Sequence, residues 1–126
     1  MQKERNGFTL VELIIVMACL GILAAIAVPM YNEHIRQSHR ATAKAALVEA
    51  AQNMERYYTR NNTYAGAAVD PPSSGGGRYL LDFSGGPTAS TFTIRGVPQG
   101  AQVADKCGTL TINQAGAKTP SLAGCW

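Results

Sequence analysis

The sequence predicts an α+β protein: one long N-terminal helix, its first half apolar enough to cross a membrane, packed on a small antiparallel sheet. Three features point there. Phe8 to Met30 is an almost purely apolar run of 23 positions, and a bilayer's hydrocarbon core of about 30 Å asks for about 20. After Met30 the chain turns polar, yet neither Gly nor Pro intervenes before Gly66, so the helix is expected to continue. Beyond Arg78 apolar residues alternate between Gly- and Pro-bearing turns, the period of strands with one buried face.

The helix begins against a basic flank. Lys3 and Arg5 directly precede the apolar run, and the positive-inside tendency keeps this end cytoplasmic while the remainder is exported. A secretory signal would place small residues at a cleavage site after the run; Pro29, Met30 and Tyr31 stand there instead. Length and flanking charge leave a plain signal anchor open. Within the run only Thr9 and Glu12 are clearly polar. A carboxylate so near the start of a membrane helix costs about 2.5 to 3.5 kcal/mol on insertion scales and calls for a partner, or for escape to the interface by snorkelling.

Gly21 and Pro29 each weaken a helix, the latter by removing an N–H and crowding the preceding turn, so a kink is expected at Pro29. Ala18, Gly21 and Ala25 place small residues at helical spacing, suited to close helix contact, and Cys19 packs among them as a small hydrophobe. Further along, Leu47, Ala51, Met54 and Tyr58 trace one apolar stripe able to meet a sheet. Continued to Arg60, the helix would be about 80 Å long at about 1.5 Å per residue. Arg36, Arg40 and Lys44 recur every four residues; they read as a solvated face, or as contacts to lipid phosphates or acidic groups of a neighbour. His34 and His39 share no helical face well, which argues against a metal site. Asn61-Asn62-Thr63 reads as the polar turn that ends the helix.

Residues 61–78 form a connecting loop punctuated by Pro71, Pro72, Gly75, Gly76 and Gly77. Three strands follow, marked by Tyr79, Leu81 and Phe83, by Phe92 and Ile94, and by Leu110 and Ile112, with turns at Gly85-Gly86-Pro87 and Asn113 to Gly116. Of three cysteines, Cys19 lies in the apolar run while Cys107 and Cys125 lie in the polar C-terminal part, which points to one disulfide in an oxidising compartment. The loop of 17 residues between them would stabilise a small head by about 3 kcal/mol. Trp126 is either an exposed contact or a ring folded over that disulfide.

Gly7-Phe8-Thr9-Leu10-Val11-Glu12 followed by the apolar run resembles the class III signal of type IV prepilins. The resemblance implies a leader of residues 1–7, a filament-core and transmembrane helix over 8–30, and a periplasmic head over 31–126 with its sheet and disulfide region in 79–126. It implies that a membrane-embedded prepilin peptidase cuts between Gly7 and Phe8 and that Phe8 is then N-methylated. It also implies that Glu12 pairs with the Phe8 amine of a neighbouring subunit, setting the register of assembly, and that the stretch from Gly21 to Pro29 can unwind in a filament. The segment Cys107 to Cys125 would be the exposed, variable disulfide region of a pilin. More narrowly, Met54 to Tyr64 and Cys107 to Asn113 resemble PilE-type minor pilins of type IVa pili.

That resemblance implies a subunit incorporated into, or priming, an adhesive and motile pilus, first anchored in a bacterial inner membrane and later extracellular. Its partners would be major and minor pilins, the peptidase, the assembly platform and a tip adhesin. A major subunit and a type II secretion pseudopilin are the alternatives, although major pseudopilins carry a calcium site where this chain has paired cysteines. A DNA-uptake role would draw on Arg78, Arg95, Lys106 and Lys118, but Asp70, Asp82 and Asp105 lie among them and no basic cluster interleaved with aromatics is visible. The small net charge of +3 adds little to that case. Without a P-loop, a zinc-spaced His and Cys set or a triad, the residues indicate no enzyme, cofactor or small-molecule substrate.

Overall fold

In the computed structural model, residues 6–70, 73–74 and 76–126 are described. Lys3 and Arg5 of the basic flank, most of the leader, and Pro71, Pro72 and Gly75 of the connecting loop lie outside them. Helix α1 runs from Leu10 to Asn61, 52 residues, without interruption through Gly21 and Pro29. Its chain divides into two compact units, residues 1–34 and 35–126.

In the first unit every described residue from 6 to 32 is exposed. An 18-residue stretch of α1 is apolar enough to cross a membrane, and none of it is buried.

The second unit is a helix-backed antiparallel sheet of five strands in sequential order: β1 (Ser73–Ser74), β2 (Tyr79–Phe83), β3 (Thr93–Pro98), β4 (Leu110–Asn113) and β5 (Lys118–Thr119). The central three carry the alternation read in the sequence. Tyr79 and Leu81 on β2, Ile94 and Gly96 on β3, and Leu110 and Ile112 on β4 face inward and are buried. Register places Gly96 between Leu81 and Leu110, and a Cβ there would meet Leu47 Cδ1 of α1 at 3.4 Å. The missing side chain lets helix and sheet approach closely.

Two expectations need correction. The loop of residues 61–78 contains β1, a two-residue edge strand whose serines carry no hydrophobic periodicity, and β5 is equally short. The buried stripe of α1 is Arg40, Ala43, Leu47, Ala50 and Met54. Ala51 is half-buried and Tyr58 is 37% exposed: both stripes keep helical spacings of three and four and share Leu47 and Met54, but between these the sheet meets Ala50 and not Ala51. The helix stops where Asn62 turns left-handed at φ 55°, its N–H donating to Tyr58 O at 2.7 Å while the Asn61 amide donates to Tyr57 O at 2.9 Å. Asn tolerates that conformation, and the two bonds satisfy carbonyls left open by the last turn.

Cys107 and Cys125 are bonded, with Cα atoms 5.7 Å apart, and both are buried in the core beside Leu110 and Ile112. Cys19 is free and exposed.

Candidate functional site

Two places combine polar chemistry with a distinctive position: the start of α1, and the seam that joins α1 to the C-terminal loop.

At the start of α1, Thr9 N–H donates to Glu12 Oε2 at 2.9 Å and Glu12 N–H donates to Thr9 Oγ1 at 3.2 Å. Since α1 begins at Leu10, Thr9 is the N-cap and Glu12 the third helical residue, and the two bonds form a reciprocal capping box. The Glu12 carboxylate also sits at the positive end of the helix dipole, which stabilises a negative charge there. Thr-x-x-Glu just before an apolar run is the signal in the sequence that marks this local partner. Phe8 is 89% exposed, and open space surrounds Gly7. The bond from Thr9 N–H uses the amide between Phe8 and Thr9, so a cut between Gly7 and Phe8 would leave the box intact.

The seam is built on Arg40, which the sequence placed on a basic face with Arg36 and Lys44. It is 2% exposed. Its Nε donates to Asp105 Oδ2 at 2.9 Å and its Nη2 to Asp105 Oδ1 at 2.6 Å, a bidentate fork, while Nη1 donates to Gly124 O at 3.1 Å. Tyr79 O–H donates to Asp105 Oδ2 at 3.1 Å, and the Gln102 amide donates to Tyr79 Oη at 3.0 Å and to Arg36 O at 3.1 Å. The 3-10 helix Gly100–Ala104 delivers Gln102 and then Asp105 to this point. Arg36 and Lys44 are half-buried, so the three basic residues do not make one solvated face. Arg40 lies on the buried stripe and its two basic neighbours flank it.

Burial pulls the Asp105 carboxyl upward, but the Arg40 and Tyr79 hydrogen bonds, the Arg40 charge and the Cys107 backbone N–H outweigh it. The group is held below the ordinary carboxylate range. The Tyr79 phenol is pushed up, first by burial, with the Asp105 charge adding to it against the Gln102 bond. The network ties α1, β2, the 3-10 helix and the residue before Cys125 into one satisfied unit; among the described residues no buried side-chain N or O lacks a partner.

The basic residues considered for DNA contact do not converge. Arg95 is held by Asp82, Nε to Oδ1 at 2.5 Å, and Lys106 is exposed on its own turn. Lys118 stands apart, with Nζ 5.2 Å from the centre of the Trp126 ring. The indole N–H donates to Thr119 O at 2.7 Å, so Trp126 is half-buried against the core and anchored to β5. Among the described residues no group of three or more His, Cys, Asp or Glu is placed to hold a metal ion.

Comparison with known proteins gives the following. Residues 2–28 match the family model described as the prokaryotic N-terminal methylation motif. Residues 29–111 match the model described as type IV minor pilin ComP, DNA uptake sequence receptor. The chain is 36% identical over 112 residues to a fimbrial protein of Dichelobacter nodosus, covering 82% of this chain and 67% of that one. It is 36% identical over 106 residues to the type IV major pilin protein PilE1 of Neisseria gonorrhoeae, covering 77% and 63%. The chain thus spans about two thirds of the length of these curated relatives. Among solved structures, a type IV pilin from Shewanella oneidensis is 33% identical with a TM-score of 0.56, over 72% of this chain and 97% of that one. The non-core minor pilin PilV of Neisseria meningitidis, 20% identical with a TM-score of 0.57 over 68% and 86%, shares the fold.

Proposed function

Because this chain belongs to the type IV pilin family, we propose that it is a minor pilin, a structural subunit that enters or primes a type IV filament. In this reading a prepilin peptidase cuts between Gly7 and Phe8, Phe8 is N-methylated, and the helix from Phe8 onward anchors the subunit in the inner membrane until the assembly platform draws it out. The observation that carries it is the exposure of every residue from 10 to 32 along a continuous helix. So much apolar surface is stable only against lipid or other helices. The other pilins of the filament supply those helices, and Gly21, Pro29 and the small residues between them are where packing would be closest. Adhesion, motility and any tip adhesin follow from the filament and not from this head alone.

Quantitative mass spectrometry of sheared filaments and of the remaining envelope tests the proposal, scoring the peptide that begins at Phe8. A small, definite share in filaments supports it. Dominance makes the chain the major subunit, as PilE1 and FimA are named among its relatives; retention in the envelope makes it a pseudopilin or an assembly factor. Gly7→Ala should leave the precursor mass unchanged, and Glu12→Ala should be processed yet depleted from filaments.

A second reading, in which the head binds DNA, is favoured by the match of residues 29–111 to a DNA uptake receptor model. Binding of DNA by the purified full chain, absent from a type IV pilin with no uptake role, would support it.

A further inference from the structure

The two cysteines of the head lie on separate arms of the chain, and one side chain of α1 holds both arms. Asp105 stands two residues before Cys107, and Gly124 one residue before Cys125. Arg40 Nε and Nη2 donate to the Asp105 carboxylate at 2.9 and 2.6 Å, and Arg40 Nη1 donates to Gly124 O at 3.1 Å. Asp105 also accepts a bond from the Cys107 backbone N–H, so the first cysteine is tied to the very group that Arg40 grips. On the second arm Cys125 N–H donates to Leu122 O at 3.1 Å, and Gly124 takes φ 82°, a left-handed value that glycine adopts without strain. Arg40 and both cysteines are buried. Every one of these bonds is made by nitrogen and oxygen, and so is open to the chain before its sulfurs are joined.

We propose that Arg40 is a positioning residue for the oxidation of Cys107 and Cys125, gathering the two arms onto α1 so that the thiols face one another before the bond forms. Joining thiols at the ends of a free loop of 17 residues costs closure entropy. Arg40, fixed in a helix 65 residues from Asp105 and 84 from Gly124, closes that loop beforehand with three hydrogen bonds. One cysteine thiolate then attacks a disulfide donor of the oxidising compartment and expels half of it as a thiolate. The second thiolate attacks the mixed disulfide, joins Cys107 to Cys125 and expels the other half. The donor leaves as a dithiol, with both electrons and both protons. Linkage makes the effect reciprocal: the factor by which Arg40 favours the disulfide is the factor by which the disulfide strengthens the hold of Arg40. A lysine is no substitute, because its ammonium is a single point, whereas the guanidinium presents separate N–H groups to two acceptors from one plane.

The test uses the full chain in a neutral detergent, with Cys19→Ser so that only the two head thiols react. Equilibration across glutathione redox mixtures, followed by alkylation and mass spectrometry, gives the effective concentration of the pair. Arg40→Met should lower it about tenfold, and Arg40→Lys should restore little of that. The deciding variant combines Arg40→Met with Asp105→Leu: an apolar pair replaces the buried ion pair and recovers stability, but nothing reaches Gly124 O. Its effective concentration should stay about tenfold down. Trp126, the single tryptophan, directly follows Cys125 and donates its indole N–H to Thr119 O, so its emission reports whether the second arm is seated. The reduced parent chain should keep the emission maximum of its oxidised form, and the reduced double variant should shift to the red.

Full recovery of the effective concentration in the double variant would overturn the proposal and leave Arg40 with a part in stability alone. An equal fall in Leu47→Ala, a core substitution that leaves every bonding group of Arg40, Asp105 and Gly124 in place, would overturn it too. So would a red shift in the reduced parent chain as large as that of the reduced double variant, since the second arm would then be released whether or not Arg40 is present.

Discussion

Between Leu10 and Asn32 α1 exposes every side chain, its Leu, Ile and Val residues included, whereas from Arg40 to Met54 it buries one residue at each step of three or four. One helix therefore follows two rules of burial. In the first half, backbone hydrogen bonds are satisfied within the helix and the apolar surface is left for a surrounding that the single chain does not contain. In the second half the sheet supplies that surrounding, and a charge is buried as readily as a leucine because Asp105, Tyr79 and Gly124 O meet it. The two carboxylates differ in the same way. Glu12 is exposed and answers local backbone at the helix start, while Asp105 is buried and answers a residue 65 positions away.

The sharpest way to break this comparison is Arg40→Met. It leaves Asp105 buried without its cation, and stability of the head, followed by denaturant-induced loss of near-UV circular dichroism in the full chain in detergent, should fall by about 3 to 5 kcal/mol. Adding Asp105→Leu should recover much of that loss, since a well-packed apolar pair can replace a buried ion pair. No recovery would mean that the charge pair with Asp105 is not what Arg40 chiefly supplies.

Leu47→Ala should cost about 2 to 5 kcal/mol by the same measurement, because the cavity opens against Gly96 and Tyr79.

Acid titration sharpens the difference further. Asp105 has a lowered pKa in the folded head, so its stabilising contribution is complete above the ordinary carboxylate value of about 3.9 and is lost as pH falls through the lower, folded value. The head should weaken on acidification below about pH 4. In Arg40→Met an unpaired buried carboxyl gains from protonation, so stability should instead rise as pH falls toward about 3.9 and show no Asp105-linked loss below it. Parallel acid limbs in the two proteins would contradict the role given to the pair.

The smallest effect belongs to the other half. Leu20→Ala should change head stability by no more than about 0.5 kcal/mol while lowering the share of the chain recovered in filaments. A large loss of head stability would show that the exposed half contributes to the fold of the single chain.

Much of this architecture was legible because it depends on neighbours in sequence. The apolar run, the absence of Gly and Pro after Met30 until Gly66, and the alternation at Tyr79 and Leu81 or Leu110 and Ile112 are local patterns tied to the periods of helix and strand. The two-residue strands β1 and β5 were not, since two residues carry no period. The Thr9 and Glu12 box is written in the same local way, as Thr-x-x-Glu before an apolar run. Arg40 misled, because its spacing from Arg36 and Lys44 matches a solvated face and its partner lies on a distant 3-10 helix. Lys44 and Arg56 come to line one groove with Lys118 and Trp126 only because the sheet folds back on α1, which no linear pattern records.

What the sequence determined by itself is the periodic and the local: an apolar helix start with its own cap, its continuation into a polar helix, three alternating strands, and a pair of cysteines placed apart from the third. Tertiary structure alone decided which helical stripe is buried, that a buried arginine is tolerated within it, and which cations surround the single tryptophan. Periodicity records only which face of an element is apolar, whereas a buried charge or a convergent groove is permitted by partners that chain folding brings from dozens of residues away.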